Sequence, residues 1–404
     1  MEIRHKFTRF IANGHQYRRF FDNNRYFCPL LNNSSLFTGM KTINHRNTTL
    51  SICKAIAIIL MCAGHAEGPT LLVTFIYLFH MPVFFMAAGY FFDKKYLADP
   101  WTFVVKRFKG LYVPFVKWSL FFLVLHNLFF KVGLMNEHYG NWVGGVTHPY
   151  TWYQFWQRLV HIIFSMGGYD EFLAGAFWFF RALLVSSIVF LVLYLLLYNR
   201  HKWLNHNTVP VVIAVMAVGF AWFKVANHLS IVTIIQGGIR ECWGVFFFAL
   251  GVLYRRYEHR IVEHWALTLL YLAVLVGGAS LGWQGMALKV ELRTVATLPL
   301  TGAIGFLMVH HVASWLDRHE GKVKQFLVYC GDNTLYIFVF HIISFKLVSA
   351  LKIWWYGMDW GQIGCHMVIH ENSTTDLFWV LYTIVGTAVP LLGITIYRRL
   401  TARR

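Results

Sequence analysis

The sequence predicts an all-α membrane protein, a polytopic bundle of about ten transmembrane helices with both termini in the cytoplasm. Three observations lead there. Of the 404 residues 57% are hydrophobic and only 13% charged, with a mean hydropathy of +0.50, outside the range of a soluble globular chain. The apolar residues gather into runs long enough to cross about 30 Å of hydrocarbon, separated by short polar segments. The basic residues fall in alternate segments. With the N-terminus inside, the inner segments hold 25 Lys and Arg and the outer ones six, the asymmetry that fixes orientation. The net charge of +18 therefore marks topology rather than nucleic acid.

Residues 1–49 are polar and basic, without the apolar region of a cleavable signal. They read as a cytoplasmic extension, with Met40 opening a short lead-in, ahead of a transmembrane domain over 50–400. Apolar runs fall near 50–66, 70–92, 111–132, 175–198, 208–223, 238–254, 264–282, 294–315, 328–352 and 376–398. A Glu67-Gly68-Pro69 turn joins the first two. The outer segment 133–174 carries a helical pattern of apolar and aromatic residues from Trp152 to Met166, as an interfacial helix does. Its aromatic rings suit either the membrane belt or platforms for sugar C–H faces, and Asp170 and Glu171 are candidates to bind sugar hydroxyls. The six cysteines are scattered and suggest neither a disulfide framework nor a zinc site.

Span one carries Lys54 and His65 and span two carries His80, where a lipid-facing helix should carry no ionisable group. Such a side chain at membrane depth costs about 2.5 kcal/mol or more and by default marks a site. Lys54 and His65 are eleven residues apart, which places them within about 20° on one helix face and about 16 Å apart along the axis. In the expected orientation His65 and Glu67 lie at the outer end of span one and Lys54 near the inner end. Arg181, Arg240 and Glu241 lie toward the outer side, and His341 and Lys346 in span nine. Lys106, Arg107 and Lys109 gather on the inner surface before span three. Histidine ordinarily titrates near neutral pH, so His65 is the leading candidate for a base, with Glu67 placed to orient it. The bland alternatives are a buried hydrogen-bonded His65 and a structural Arg–Glu pair. His366 and His370 stand at i, i+4, a zinc-capable spacing. They do not form HExxH and read as part of a solvated outer loop, with no metal expected. No phosphate-cradling Gly-rich loop and no GxSxG elbow is present.

Read in order, Lys54-AIAIILMCAG-His65, then Phe79-His80-Met81-Pro82 through Gly89-Tyr90, Lys106-Arg107-Phe108-Lys109 with Pro114, Phe177-Trp178-Phe179, and Gly331-Asp332-Asn333-Thr334-Leu335-Tyr336 leading to His341, the chain resembles the membrane acyltransferase-3 family. These are bacterial O-acyltransferases that decorate surface glycans and related acceptors. Two departures are visible. Many members carry Asp where this chain has Ser51, and Ser-Gly where it has Ala88-Gly89.

The resemblance implies transfer of an acyl group, acetyl above all, from cytoplasmic acyl-CoA to a hydroxyl of a surface or lipid-linked glycan. The enzyme would be a multi-pass protein of the inner (plasma) membrane, with acyl-CoA as co-substrate and no bound cofactor. It assigns catalysis to His65, Glu67, His80 and His341, and donor binding to Lys54, Lys106, Arg107 and Lys109. With an acceptor of that kind, the span-embedded Arg181, Arg240 and Glu241, together with Trp178, Asp170 and Glu171, are the candidates for acceptor binding. A transporter would also have about ten spans and embedded charges, and transporters often show an internal repeat, which the two halves here lack. A non-catalytic subunit of a glycan-export assembly is the third class.

Overall fold

The computed structural model describes residues 47–140, 148–170, 172–200, 204–231, 234–287, 290–371 and 375–402. The expected extension thus falls almost wholly outside the described residues. In chain order the main helices are α1 (Thr48–His65), α2 (Thr70–Tyr90), α3 (Pro100–Lys131), α4 (Trp152–Ser165), α5 (Gly175–Arg200), α6 (Thr208–Ala226), α7 (Ile239–Tyr257), α8 (Trp265–Ser280), α9 (Leu292–Asp317), α10 (Lys322–Asp332), α11 (Thr334–Tyr356) and α12 (Phe378–Thr401). No strand occurs among the described residues. Eight of these helices, all except α4, α7, α8 and α10, are long and apolar enough to cross a membrane. Helices α7 and α8 stand where spans six and seven are expected. However, α7 carries Arg240, Glu241, Arg255 and Arg256. Helix α8 has 16 residues, about 24 Å against about 30 Å of hydrocarbon.

Local chemistry explains the breaks. The Asn47 side chain caps α1 by accepting from the Leu50 amide at 2.9 Å. Pro82 has no N–H for the Leu78 carbonyl, so α2 is interrupted at Leu78–Phe79, and the Thr301 hydroxyl donates to that carbonyl at 3.4 Å. Pro114 likewise cannot donate to Gly110, and the helix widens into a π turn over Phe108–Tyr112 before continuing. That turn corrects the expected start of span three. Lys106, Arg107 and Lys109 belong to the continuous helix α3 and not to a surface segment ahead of it.

The interior has one large apolar cluster centred on α2, α5, α7 and α9, and a second on α1, α3, α5 and α11. Helices α2 and α7 meet backbone to backbone. A Cβ at Gly89 would fall on the Phe248 carbonyl, and one at Gly251 on the Met86 carbonyl. Small residues allow that approach where lipid gives no hydrophobic drive between helices. The expected interfacial helix forms as α4, opened by a reciprocal Thr151–Gln154 cap and exposing Trp152, Tyr153 and Phe164.

The segment after α11 corrects another expectation. Read as solvated, it folds back onto the bundle, because two buried lysines of α11 hold it. Lys346 donates to the carbonyls of Ile363 (2.8 Å) and Cys365 (2.5 Å), and Lys352 pairs with Asp376 at 2.9 Å. Burial of this segment pushes the Cys365 thiol above its ordinary range.

Candidate active site

His65 is the last residue of α1, and the next turn is tied down on both sides. The Tyr77 hydroxyl donates to the Gly64 carbonyl at 2.9 Å. Glu67 adopts a left-handed backbone (φ 51°). The His65 ring stacks on that of His341 from α11, with centroids 5.1 Å apart and His65 Nδ1 at 2.8 Å from His341 Nε2.

The roles in this pair follow from elimination. His341 Nδ1 faces the carbonyls of Phe338 (2.9 Å) and Ile337 (3.2 Å), which can only accept, so Nδ1 bears the proton. In the neutral pair His341 Nε2 is then an acceptor, and His65 Nδ1–H must donate to it. The remaining lone pair of His65 sits on Nε2. His80 is fixed in the same sense, its Nδ1 donating to the Ile76 carbonyl at 2.9 Å and leaving Nε2 as acceptor.

His65 and His80 border one cavity of about 340 Å³, lined also by Tyr77, Trp178, Arg240 and Met286 among others. Arg240 reaches it from the first turn of α7. Its Nε donates to the Met286 carbonyl at 3.1 Å, and its guanidinium lies 3.9 Å over the Trp178 ring. The site therefore combines a proton acceptor with a fixed cation across a small space that also holds an aromatic platform.

The remaining expected residues separate into several environments. Glu67 does not orient His65; its carboxylate accepts from His370 Nδ1 at 2.5 Å. His370 is thereby drawn inward, and His366 is buried with its ring 5.3 Å from that of Phe172, so neither belongs to a solvated loop. Among the described residues no group of three or more His, Cys, Asp or Glu is placed to hold a metal ion. Arg181 and Glu241 form a buried ion pair at 3.0 Å, the bland alternative for those two residues. Asp170 cannot offer its carboxylate to a sugar. It is fully buried and accepts from His126 Nδ1 (2.7 Å) and from the amides of Phe172 and Leu173. Glu171 lies outside the described residues.

The basic residues expected to bind donor do not form one cluster. Successive helix positions turn by about 100°, so Lys106 and Lys109 stay exposed while Arg107 turns inward. Arg107 donates to the Ala88 carbonyl at 3.1 Å and packs over Phe103 and Phe248. Lys54 is half-buried on α1 and does not line the His65 cavity. One turn earlier, the Ser51 hydroxyl donates to Asp332 at 3.2 Å. The acid missing at position 51 is thus matched on that face by one from the end of α10, brought close because Gly331 lies against the Ser51 carbonyl.

Sequence reading missed Tyr77 and His126. Tyr77 looks like one more belt tyrosine, and His126 like a lone histidine in an apolar run. Only the fold gives them partners.

Residues 47–397 match a family model described as an acyltransferase domain, Acyl_transf_3. No curated protein and no solved structure matches the chain.

Proposed function

The chain belongs to the acyltransferase-3 family, and from that premise we propose that it moves an acyl group, acetyl above all, from acyl-CoA to a hydroxyl of a surface or lipid-linked glycan. The observation that carries this reading is the lone pair left on Nε2 of His65, a residue that lines the same cavity as Arg240. Nε2 takes the hydroxyl proton as the acceptor oxygen bonds to the thioester carbonyl carbon. The oxyanion that forms draws on the Arg240 charge. Collapse breaks the carbon–sulfur bond, and the thiolate of CoA leaves with the proton held by His65. The products are the ester and free CoA.

When the His65 imidazole is protonated, the His341 Nε2 lone pair already accepts from its Nδ1–H, and the Phe338 and Ile337 carbonyls hold His341 in that tautomer. His341 is thus a positioning residue. Lys54 sits about 16 Å from His65 along α1, the span of an extended thioester arm, and the exposed Lys106 and Lys109 suit the donor phosphates. Both termini lie in the cytoplasm and the site opens outward from the inner (plasma) membrane, a reading supported by the 25-to-six distribution of basic residues. Residues 1–49 are then a cytoplasmic extension of the transmembrane domain.

The test is reconstitution of the full chain in liposomes holding acetyl-CoA, with glycan supplied outside and ester formation followed by mass spectrometry. Ester formation that requires internal donor and His65 supports the reading. Transport of intact glycan without ester would replace it with the transporter class.

A further inference from the structure

A second hollow shares helices α5 and α7 with the His65 cavity and differs from it in kind. It is a slot of about 260 Å³ between α5, α6 and α7, walled by Val185, Val189, Met216, Phe220, Ile234 and Val245 among others. Glu241 and Cys242 also reach it, but the Glu241 carboxylate is already held by Arg181 Nε. At the rim Val189, Met216 and Phe220 are exposed, and on membrane-crossing helices those side chains face hydrocarbon. The slot therefore opens to the bilayer core.

Two of its three conceivable contents are disfavoured. Water needs two or more polar partners, and the walls offer almost none. A void forfeits dispersion contacts on every side. A hydrocarbon chain from the bilayer loses nothing on entry, and the question becomes which lipid carries it.

Position answers that question. Helix α7 serves both hollows with its first turn, Arg240 lining the cavity while Glu241 and Cys242 line the slot. Helix α5 does the same, with Trp178 at the cavity and Val185 at the slot, about 10 Å further along. The end of the slot at Glu241 and Cys242 thus lies within one helix turn of Arg240 along α7. We infer that the slot holds the hydrocarbon tail of a lipid-linked acceptor and sets its head group at the His65 cavity. This rests on the acyl-transfer reading above. The tail gains little free energy by leaving one apolar phase for another; its contribution is a raised effective concentration of acceptor hydroxyl at the base.

The experiment uses the full chain in phosphatidylcholine nanodiscs with acetyl-CoA, and two probes, methyl glucoside and a dodecyl glucoside with a photoreactive diazirine at the tail end. Ala217→Trp fills the slot from its floor and Val189→Trp from its exposed rim, so one variant remains informative if the other fails to fold. The expected result is photolabelling of Met216, Phe220 or neighbouring slot residues, lost in both variants. The KM for dodecyl glucoside should rise about tenfold or more, and that for methyl glucoside should not change. Displaceable labelling of the slot without acylation of either glucoside supports the tail site and counts against the acyl-transfer reading. Labelling elsewhere, or labelling unchanged by both substitutions, overturns the inference. So does a diazirine phosphatidylcholine that labels the slot and is not displaced by dodecyl glucoside.

Discussion

Two buried histidine pairs lie in this bundle, and their ring nitrogens are spent differently. In the pair of His126 with Asp170, Nδ1 meets the carboxylate at 2.7 Å, Nε2 lies 3.1 Å from the His148 carbonyl, and the Tyr150 ring stacks 3.7 Å away. Every polar atom of that imidazole faces an acceptor, and neither His126 nor Asp170 lines the His65 cavity. In the pair of His65 with His341, a chain of hydrogen bonds runs from backbone carbonyl through His341 to His65 and stops with one lone pair unused at a cavity. The carboxylate-bearing pair looks more like a catalytic couple, yet it has nothing left to give. What distinguishes a reactive histidine here is the atom that remains after its partners are counted.

The arginines repeat the contrast. Arg181 pairs with Glu241 inside the protein, whereas Arg240 reaches the His65 cavity, where it donates to a carbonyl and lies over an aromatic face.

The comparison can be broken by substitution. The largest effect is expected from His65→Gln, which keeps size and hydrogen bonding but takes no proton near neutral pH. Its kcat should fall about 10²–10⁴-fold with KM for acyl-CoA little changed. Arg240→Gln follows, with a loss of about 10²–10³ in kcat if the cation meets the oxyanion. Third is His341→Phe, which removes the acceptor for His65 Nδ1–H and frees the tautomer, at a cost of about 10² and below the roughly 10⁴ known for loss of a tautomer-fixing carboxylate. His341→Gln restores an acceptor oxygen and should recover part of that rate, which a merely structural role would not predict.

Asp170→Asn should leave the rate of folded protein within a few-fold of wild type while lowering stability by about 2–3 kcal/mol, read from thermal unfolding in detergent. The smallest effect belongs to Lys106→Gln with Lys109→Gln, a two- to fivefold rise in KM for acyl-CoA, as about 0.5–1 kcal/mol of exposed charge allows. Insertion is checked alongside, since the same lysines set orientation.

Much of this architecture was legible before the fold was known, and for a physical reason. Lipid forces apolar runs to be helices, so α1, α5, α6, α9 and α12 fall close to the runs that announce them, whereas the run 328–352 begins inside α10 and α11 starts only at Thr334. Lys54 and His65 stood out because ionisable groups are rare at membrane depth. The partners of those groups were not legible. His341 is 276 residues from His65, and His370 is 303 from Glu67. Nearness in sequence suggested Glu67 as the partner of His65, but the left-handed turn at Glu67 sends its carboxylate to His370 instead. The inward-folded loop was hidden because its polar composition reads as solvated, and it is carbonyl groups, invisible in a sequence, that Lys346 grips. Arg107 was grouped with Lys106 and Lys109 because a charge run read along the chain ignores the helical turn that separates them.

The central claim is that His65 carries its proton on Nδ1, donated to His341, and offers Nε2 as the base. Solid-state NMR of the full chain in lipid, with isotope-labelled histidine and assignment by His65→Gln and His341→Gln, measures this directly. The account predicts a neutral His65 protonated at Nδ1 and a nitrogen–nitrogen coupling across the hydrogen bond to His341, lost in either variant. A His65 protonated at Nε2, or no coupling between the two rings, would contradict it.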